Sequence, residues 1–282
     1  MKYLVHCLVA VIAPLTLSAQ DRPKFEVASI KECKPGDSHP PSTNSPGRLS
    51  LSCWPLKRLI QDAYEVFAAG KVDPQNPFFP AAPIEGTPDW VNSASYSIDA
   101  RSDSPQTPAA MRGPMMQALL EDRFQMRTHR ETREVPVYIM TVAKGGPKLT
   151  PTKEDSCLHL DTSDLNQPEP PRGAKLCVFP LGVKRGAIEG VAVYGITLDV
   201  YAKLLHAERP VIDRTRLTGA FDITLEYPPD PPRPSTPDSG AASDPGTSLF
   251  SSLREQLGLQ LTPGKGPHEF LIVDRIERPS AN

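Results

Sequence analysis

The stretch over residues 190–227, GVAVYGITLDVYAKLLHAERPVIDRTRLTGAFDITLEY, leaves the chain the fewest ways to fold, because it is a complete local unit. Apolar residues alternate over 188–196 as in a strand. Gly195 and Thr197 then stop the alternation, and the threonine hydroxyl is placed to cap a helix. Leu198, Tyr201, Leu204 and Leu205 follow at offsets of three and four on one helical face, with Asp199, Lys203 and Glu208 on the other, and Pro210 ends the run. Residues 211–213 make a short second strand and 214–219 a polar turn ending in a glycine. Phe221, Ile223 and Leu225 then alternate with Asp222, Thr224 and Glu226 as a third strand with one wet face. The expected packing is one helix on one face of a small antiparallel sheet. Each of those apolar helix residues is worth roughly 1.5–3 kcal/mol if fully buried, so a charge at Leu204 is expected to unfold the unit.

The same order occurs earlier in the chain. Residues 48–52 alternate as a strand, Pro55 stands where a first helical turn accepts it, and Leu56, Leu59, Ile60, Ala63, Tyr64 and Phe67 line one helical face. Residues 84–86 and 95–101 supply two strands, with YSID standing where FDIT stands later. Each copy is followed by a helix, over 115–124 and 249–257, and then by a segment that reads as a hairpin, with Val137, Ile139 and Thr141 alternating in one and Phe270, Ile272 and Asp274 in the other. The sequence therefore predicts an α+β fold of two similar modules arising by internal duplication, each a small antiparallel sheet with packed helices. The modules are expected over 20–150 and 188–282, with a Pro-rich connection over 151–187. Proline is abundant, 33 of 282 residues, and the segment over 228–246 is so poor in apolar residues that it is expected to form no packed structure.

Residues 1–19 read as an export signal: Lys2, a short apolar run over 3–17, and Ser18, Ala19 and Gln20 as small residues for cleavage. No other segment is apolar enough to cross a membrane, so the expected location is outside the cytoplasm, periplasmic or secreted. Cys7 would leave with the signal. Cys33, Cys53, Cys157 and Cys177 remain, and an even count in an oxidising compartment argues for disulfides before metal. Three pairings are open, the simplest joining neighbours, Cys33 to Cys53 and Cys157 to Cys177. No close pair of the C-x-x-C kind is present for zinc.

Chemistry is harder to find. A formal net charge of −2 gives no reason to expect nucleic acid or an anionic membrane as partner. Asp213-Arg214-Thr215 resembles the phosphorylated-aspartate motif of P-type ATPases, but the residues after it are wrong and the nucleotide and membrane segments are missing, and Lys144-Gly145-Gly146-Pro147-Lys148 lacks the spacing of a phosphate loop; both read as turns. His129-Arg130-Glu131 and His206-Ala207-Glu208 put imidazoles near carboxylates without an H-E-x-x-H, and read as solvated faces. Glu121-Asp122 and the acids over 238–244 lie where nothing would raise a carboxylate pKa. No catalytic, cofactor or metal residue is assigned. One patch stands out: Arg123, Arg127, His129, Arg130 and Arg133 surround one expected strand. It reads either as a charged edge strand that discourages aggregation or as a site for an acidic partner or envelope polyanion.

Three long stretches carry a resemblance: FEVASIK near the mature start, LLEDRFQMRTHRETREVPVYIMTVAKGGPKL, and PVIDRTRLTGAFDITLEY followed by SLFSSLREQLGLQLTPGKGPHEFLIVDRIERPS. Over nearly the whole mature chain the sequence resembles the soil-associated bacterial family called TIGR03435 or DUF3738. It departs from that pattern at Arg216, where a glycine is common, and at Gly113-Pro114, which interrupt the helix before Met115. The resemblance implies an exported protein of Acidobacteria and similar soil bacteria, with relatives attached to membrane sensor-type metallopeptidases, and it carries over no activity. The unit at 190–227 is also similar, more weakly, to short N-terminal domains of secretins and TonB-dependent receptors, which bind peptides or partner proteins. The expectation is a non-catalytic binding or sensing module of the cell envelope, meeting an envelope protein or peptide. The alternatives are an extracytoplasmic hydrolase of an envelope or extracellular polymer, and a structural envelope protein.

Overall fold

The computed structural model describes residues 23–34, 41–71, 82–161, 170–185, 188–205, 207–227 and 247–279. The expected export signal, His206 and the Pro/Ser-rich loop at 228–246 lie outside them. From the N-terminal side, β1 (Val27–Glu32), β2 (Thr43–Ser45) and β3 (Arg48–Pro55) lead into α1 (Leu56–Gln61), which runs on as a π-helical turn at Asp62–Val66. Then come β4 (Ile84–Glu85), α2 (Trp90–Ser93), β5 (Ser95–Arg101), α3 (Pro108–Arg112), α4 (Pro114–Arg123) and the long strand β6 (Arg127–Val142). The second half contains β7 (Thr150–Pro151), β8 (Leu181–Arg185), β9 (Ile188–Ile196), α5 (Leu198–Leu204), β10 (Val211–Asp213) and β11 (Phe221–Tyr227). It ends with α6 (Thr247–Ser252), a π-helical turn at Leu253–Leu257 and a second long strand, β12 (Leu259–Arg275).

Among the described residues the result is a mixed α+β fold with three four-stranded sheets, ordered β1-β5-β3-β2, β10-β6-β12-β4 and β7-β11-β9-β8. The outer two are antiparallel throughout. The central one is built on β6 and β12, which pair antiparallel from Arg127↔Arg275 to Val142↔Leu259. Two short strands join this ribbon in parallel, β10 beside β6 at Val211↔Tyr138 and β4 beside β12 at Leu271↔Ile84. One core packs β3, β5, α1 and α4 against Leu271, Val273 and Ile276, with Tyr96 and Phe124 meeting edge to face at 5.1 Å. The other packs β9, β11, α5 and α6 against Tyr138, Met140, Leu259 and Leu261. The ribbon thus spans two hydrophobic cores.

Several sequence expectations are corrected. The two segments read as separate hairpins are single strands of 16 and 17 residues that pair with each other. The strand at 211–213 does not join an antiparallel sheet with β9 and β11; it crosses to the central sheet and runs parallel to β6. Thr197 occupies the N-cap position but does not cap α5, because its hydroxyl donates to Asp199 Oδ1 instead of accepting from the backbone. On α5 the buried residues are Leu198, Val200, Tyr201 and Ala202, while Leu204 and Leu205 are only partly buried. Leu204 is therefore a weaker target than Leu198 for a disrupting charge.

The ribbon tolerates proline because of its register. Tyr138 N–H points outward to Pro210 O at 2.8 Å, and Leu271 N–H outward to Pro83 O at 3.0 Å. In an antiparallel pair the direction alternates, so even-numbered residues of β6 and odd-numbered residues of β12 turn their N–H groups to the outer edges. Pro136, Pro263 and Pro267 all belong to this outward set, and none removes a ladder bond. Gly264 and Gly266 complete the segment: a Cβ on them would stand 2.8 Å from Ile139 Cγ1 and 2.5 Å from Ile212 Cδ1. A sequence with turn chemistry, TPGKGP, is here strand.

Both disulfides join sequence neighbours, Cys33 to Cys53 with Cα atoms 5.8 Å apart and Cys157 to Cys177 at 5.1 Å. Among the described residues no helix is long and apolar enough to cross a membrane.

Candidate functional site

The site grows from the irregular end of α1. Phe67 N–H donates to Asp62 O at 2.9 Å, the five-residue spacing of a π turn. Residues 60 and 65 are therefore brought into line, and Glu65, which regular helical spacing would not place on the apolar face, turns inward. Gln117 of α4 steadies the turn, its Nε2 donating to Ala63 O at 2.6 Å and to Ala68 O at 3.2 Å. Beside it Asp62 is buried between Arg58, at 2.9 Å, and Arg112, whose guanidinium lies over the rings of Trp54 and Phe67 at 4.8 and 4.6 Å. Those charges brace the helices.

The Glu65 side chain is only 4% exposed. Its Oε2 accepts from Ala82 N–H at 3.4 Å. Its Oε1 is sealed from solvent and lies 3.1 Å from the Arg130 guanidinium of β6, with which it forms an ion pair. Burial raises the pKa of the Glu65 carboxyl, against the opposing pull of Arg130 and of the Ala82 N–H. Arg130 in turn pairs with Glu269 of β12 and donates to Tyr64 O. Glu65, Arg130 and Glu269, with Lys71, Ala68 and Ala69, line a recess of about 200 Å³ where the π turn meets the ribbon.

The five residues of the basic patch do not share this place. Alternation puts Arg130 on the face toward the π turn and sends Arg127, His129 and Arg133 to the opposite face, while Arg123 is the last residue of α4. On that opposite face Arg133 joins Glu131 at 2.8 Å and Glu85 at 2.7 Å and lies 4.8 Å over the Phe270 ring. Its hydrogen bonds, that to Glu131 foremost, raise its pKa, and the same bond holds the Glu131 carboxyl low. His129 Nδ1 stands 3.0 Å from Asp274, and Arg123 pairs with Asp122 at 3.1 Å. Arg127 is exposed at the start of β6. The cations are thus interleaved with carboxylates on both faces. His268, edge to face with Phe270 at 5.3 Å, has its pKa lowered by burial.

Glu65, Lys71 and Glu269 were missed from sequence. Glu65 had no signal, because the π turn that buries it is not legible from spacing. Glu269 had a weak one, a charge in a strand opposite a charged strand. Among the described residues no group of three His, Cys, Asp or Glu side chains is arranged to hold a metal ion. Two carboxylates and two cations around a small recess can hold a polar ligand.

A family model described as a protein of unknown function, DUF3738, matches residues 57–276. No curated protein and no solved structure matches the chain.

Proposed function

The chain belongs to the DUF3738 family, whose description assigns no activity, and from that premise we propose that it is a non-catalytic binding or sensing module of the cell envelope whose ligand site is the recess at Arg130. The observation that carries this is the recess itself, about 200 Å³ and lined by two carboxylates and two cations, Glu65, Glu269, Lys71 and Arg130. The two disulfides favour an oxidising, extracytoplasmic compartment, in keeping with the export signal read at 1–19. We further infer that the order strand, helix, short strand, strand, helix, long strand, met over 48–142 and again over 188–275, is an internal duplication. The exchange of β10 and β4 between the halves supports it, with modules over 20–150 and 188–282 joined through 151–187.

The runner-up is a hydrolase of an envelope or extracellular polymer. Glu65, whose pKa is raised, beside the half-exposed Glu269 resembles the acid and base pair of glycoside hydrolysis. Size favours binding: about 200 Å³ is small beside the roughly 300–1,000 Å³ of typical ligand clefts, and a polymer needs a longer groove. The test is to incubate the oxidised protein with purified cell-wall polymer and follow soluble fragments. No release is expected. Release that disappears in both Glu65→Gln and Glu269→Gln would overturn the binding reading.

A further inference from the structure

We propose that two copies of this chain pair edge to edge through β6, antiparallel about a two-fold axis at Thr132, so that their central sheets become one. The inference goes beyond the binding reading and does not depend on the recess. β10 covers the outer edge of β6 only at Tyr138–Met140, and among the described residues no strand covers that edge from Arg127 to Val137. Its outward residues are Thr128, Arg130, Thr132 and Glu134, each with its N–H and C=O turned away from β12. No side chain over 127–136 is buried. The outer edge of β12 is different, because Pro263 and Pro267 remove two of its donors. A row of unpaired backbone groups is a template for another strand.

Charge selects the strand that fits. Residues 130–134 read Arg-Glu-Thr-Arg-Glu, and about Thr132 that order is its own complement. Antiparallel pairing about this residue sets Arg130 opposite Glu134 and Glu131 opposite Arg133, each twice, with Thr132 facing its own copy; such opposed charges and threonines are favourable cross-strand pairs. A two-fold axis one residue away sets Glu131 against Glu131 or Arg133 against Arg133, which is unfavourable. The charges that discourage other pairings thus permit this one. Length points to the same centre. The open edge runs from Arg127, where β6 begins, to Val137, one residue short of the first contact with β10, and Thr132 is its midpoint. A partner strand centred there sets its own Arg127 against Val137 and ends before β10. Within one copy Glu134 has Pro267 across the ladder, and the second copy supplies it with a cation. The joint makes about eight backbone hydrogen bonds, Pro136 withholding one at each end.

The test is sedimentation velocity on the full, oxidised chain up to millimolar concentration. Thr132→Pro removes the central donor and, lying in the outward set, leaves the ladder to β12 intact. Glu131→Arg and Arg133→Glu, at side chains 45% and 37% exposed, each set like charges against one another across the axis, and melting curves check that all three variants fold. The expected result is a wild-type dimer whose dissociation constant rises about tenfold or more in each variant, the scale of a lost hydrogen-bonded pair. Mixing Glu131→Arg with Arg133→Glu restores opposite charges at every position, and the mixed dimer is expected to be as tight as the wild type. A wild-type chain that stays monomeric at millimolar concentration would overturn the proposal. So would a dimer unchanged by Thr132→Pro and Glu131→Arg, or a mixture that associates no better than its two components.

Discussion

Replacing Gly113 with alanine probes the joint on which the π turn and the recess depend. Gly113 separates α3 from α4, its N–H donating to Ala109 O and its carbonyl accepting from Gln117 N–H, each at 2.9 Å. A Cβ built on it would lie 1.8 Å from Phe67 O and 2.8 Å from Phe67 C, where real Cβ contacts under 3.0 Å essentially never occur. The intruded group is backbone and cannot rotate away. Phe67 O also accepts from Gly70 N–H at 2.8 Å, and the Phe67 ring is buried beneath Arg112. Opening the contact by more than an ångström must therefore move the end of the π turn, the Arg112 stack and the Gln117 bonds together. Overpacking costs about 1–3 kcal/mol where side chains can yield; with rigid backbone on both sides the expectation is the top of that range, about 3 kcal/mol. For a domain of this size that lowers Tm by about 2–4 °C per kcal/mol. Urea unfolding of the oxidised protein is the assay, with Gly145→Ala as control, since a Cβ there meets nothing within 4 Å. A Gly113→Ala midpoint indistinguishable from that of the control, at equal m-value, would refute the reasoning.

Four further outcomes are expected. Arg216→Gly should stabilise by about 0.5 kcal/mol, because Arg216 is exposed and sits at φ 61°, a left-handed conformation that glycine adopts at little cost; a lower urea midpoint would count against this. Removing the Cys157–Cys177 bridge as a double serine variant should cost about 3 kcal/mol for the loop it closes, read from the same curves. Leu198→Asp should unfold the second core, while Leu204→Asp should leave a cooperative transition, since Leu198 is 1% exposed and Leu204 only partly buried. For Glu65 the folded pKa is raised by burial, so the folded state holds its proton where the unfolded state has released it; stability is lost as pH climbs from the ordinary glutamate range through the raised value. Glu65→Gln removes that loss, and its urea midpoint should gain on the wild type as pH rises. A difference that is flat from about pH 4 to about pH 8 would sink the claim.

What the sequence disclosed was local. Alternation located β5, β9 and β11, and the spacing of Leu56, Leu59 and Ile60 located α1, because those patterns are set by which face meets a core. Pairing partners were not legible. Three residues, Val211–Asp213, have no pattern that distinguishes an antiparallel neighbour from a parallel one 73 residues away, and the choice is made by the assembled ribbon. In β12, TPGKGP carries turn residues, yet each proline falls where a missing N–H costs nothing and each glycine where an isoleucine needs room. The recess was hidden for a related reason: Glu65 becomes buried only because α1 ends in a wider turn. The sequence left three cysteine pairings open, and the fold adopts the simplest of them, neighbour with neighbour.

The exchange of short strands across the ribbon bears on how the protein is made. β4 is synthesised early but its partner, Leu271–Ile272, is among the last stretches to emerge, and β6 waits for both β10 and β12. A chain captured midway through synthesis holds a 16-residue strand with both edges bare, a template for unwanted pairing. The charges and Pro136 along β6 are features of the kind that discourage such pairing. Late closure between distant residues also makes folding slow, and it predicts complementation: fragments cut within 228–246 each lack a strand that only the other supplies, so mixing them should restore the cooperative unfolding that neither displays alone.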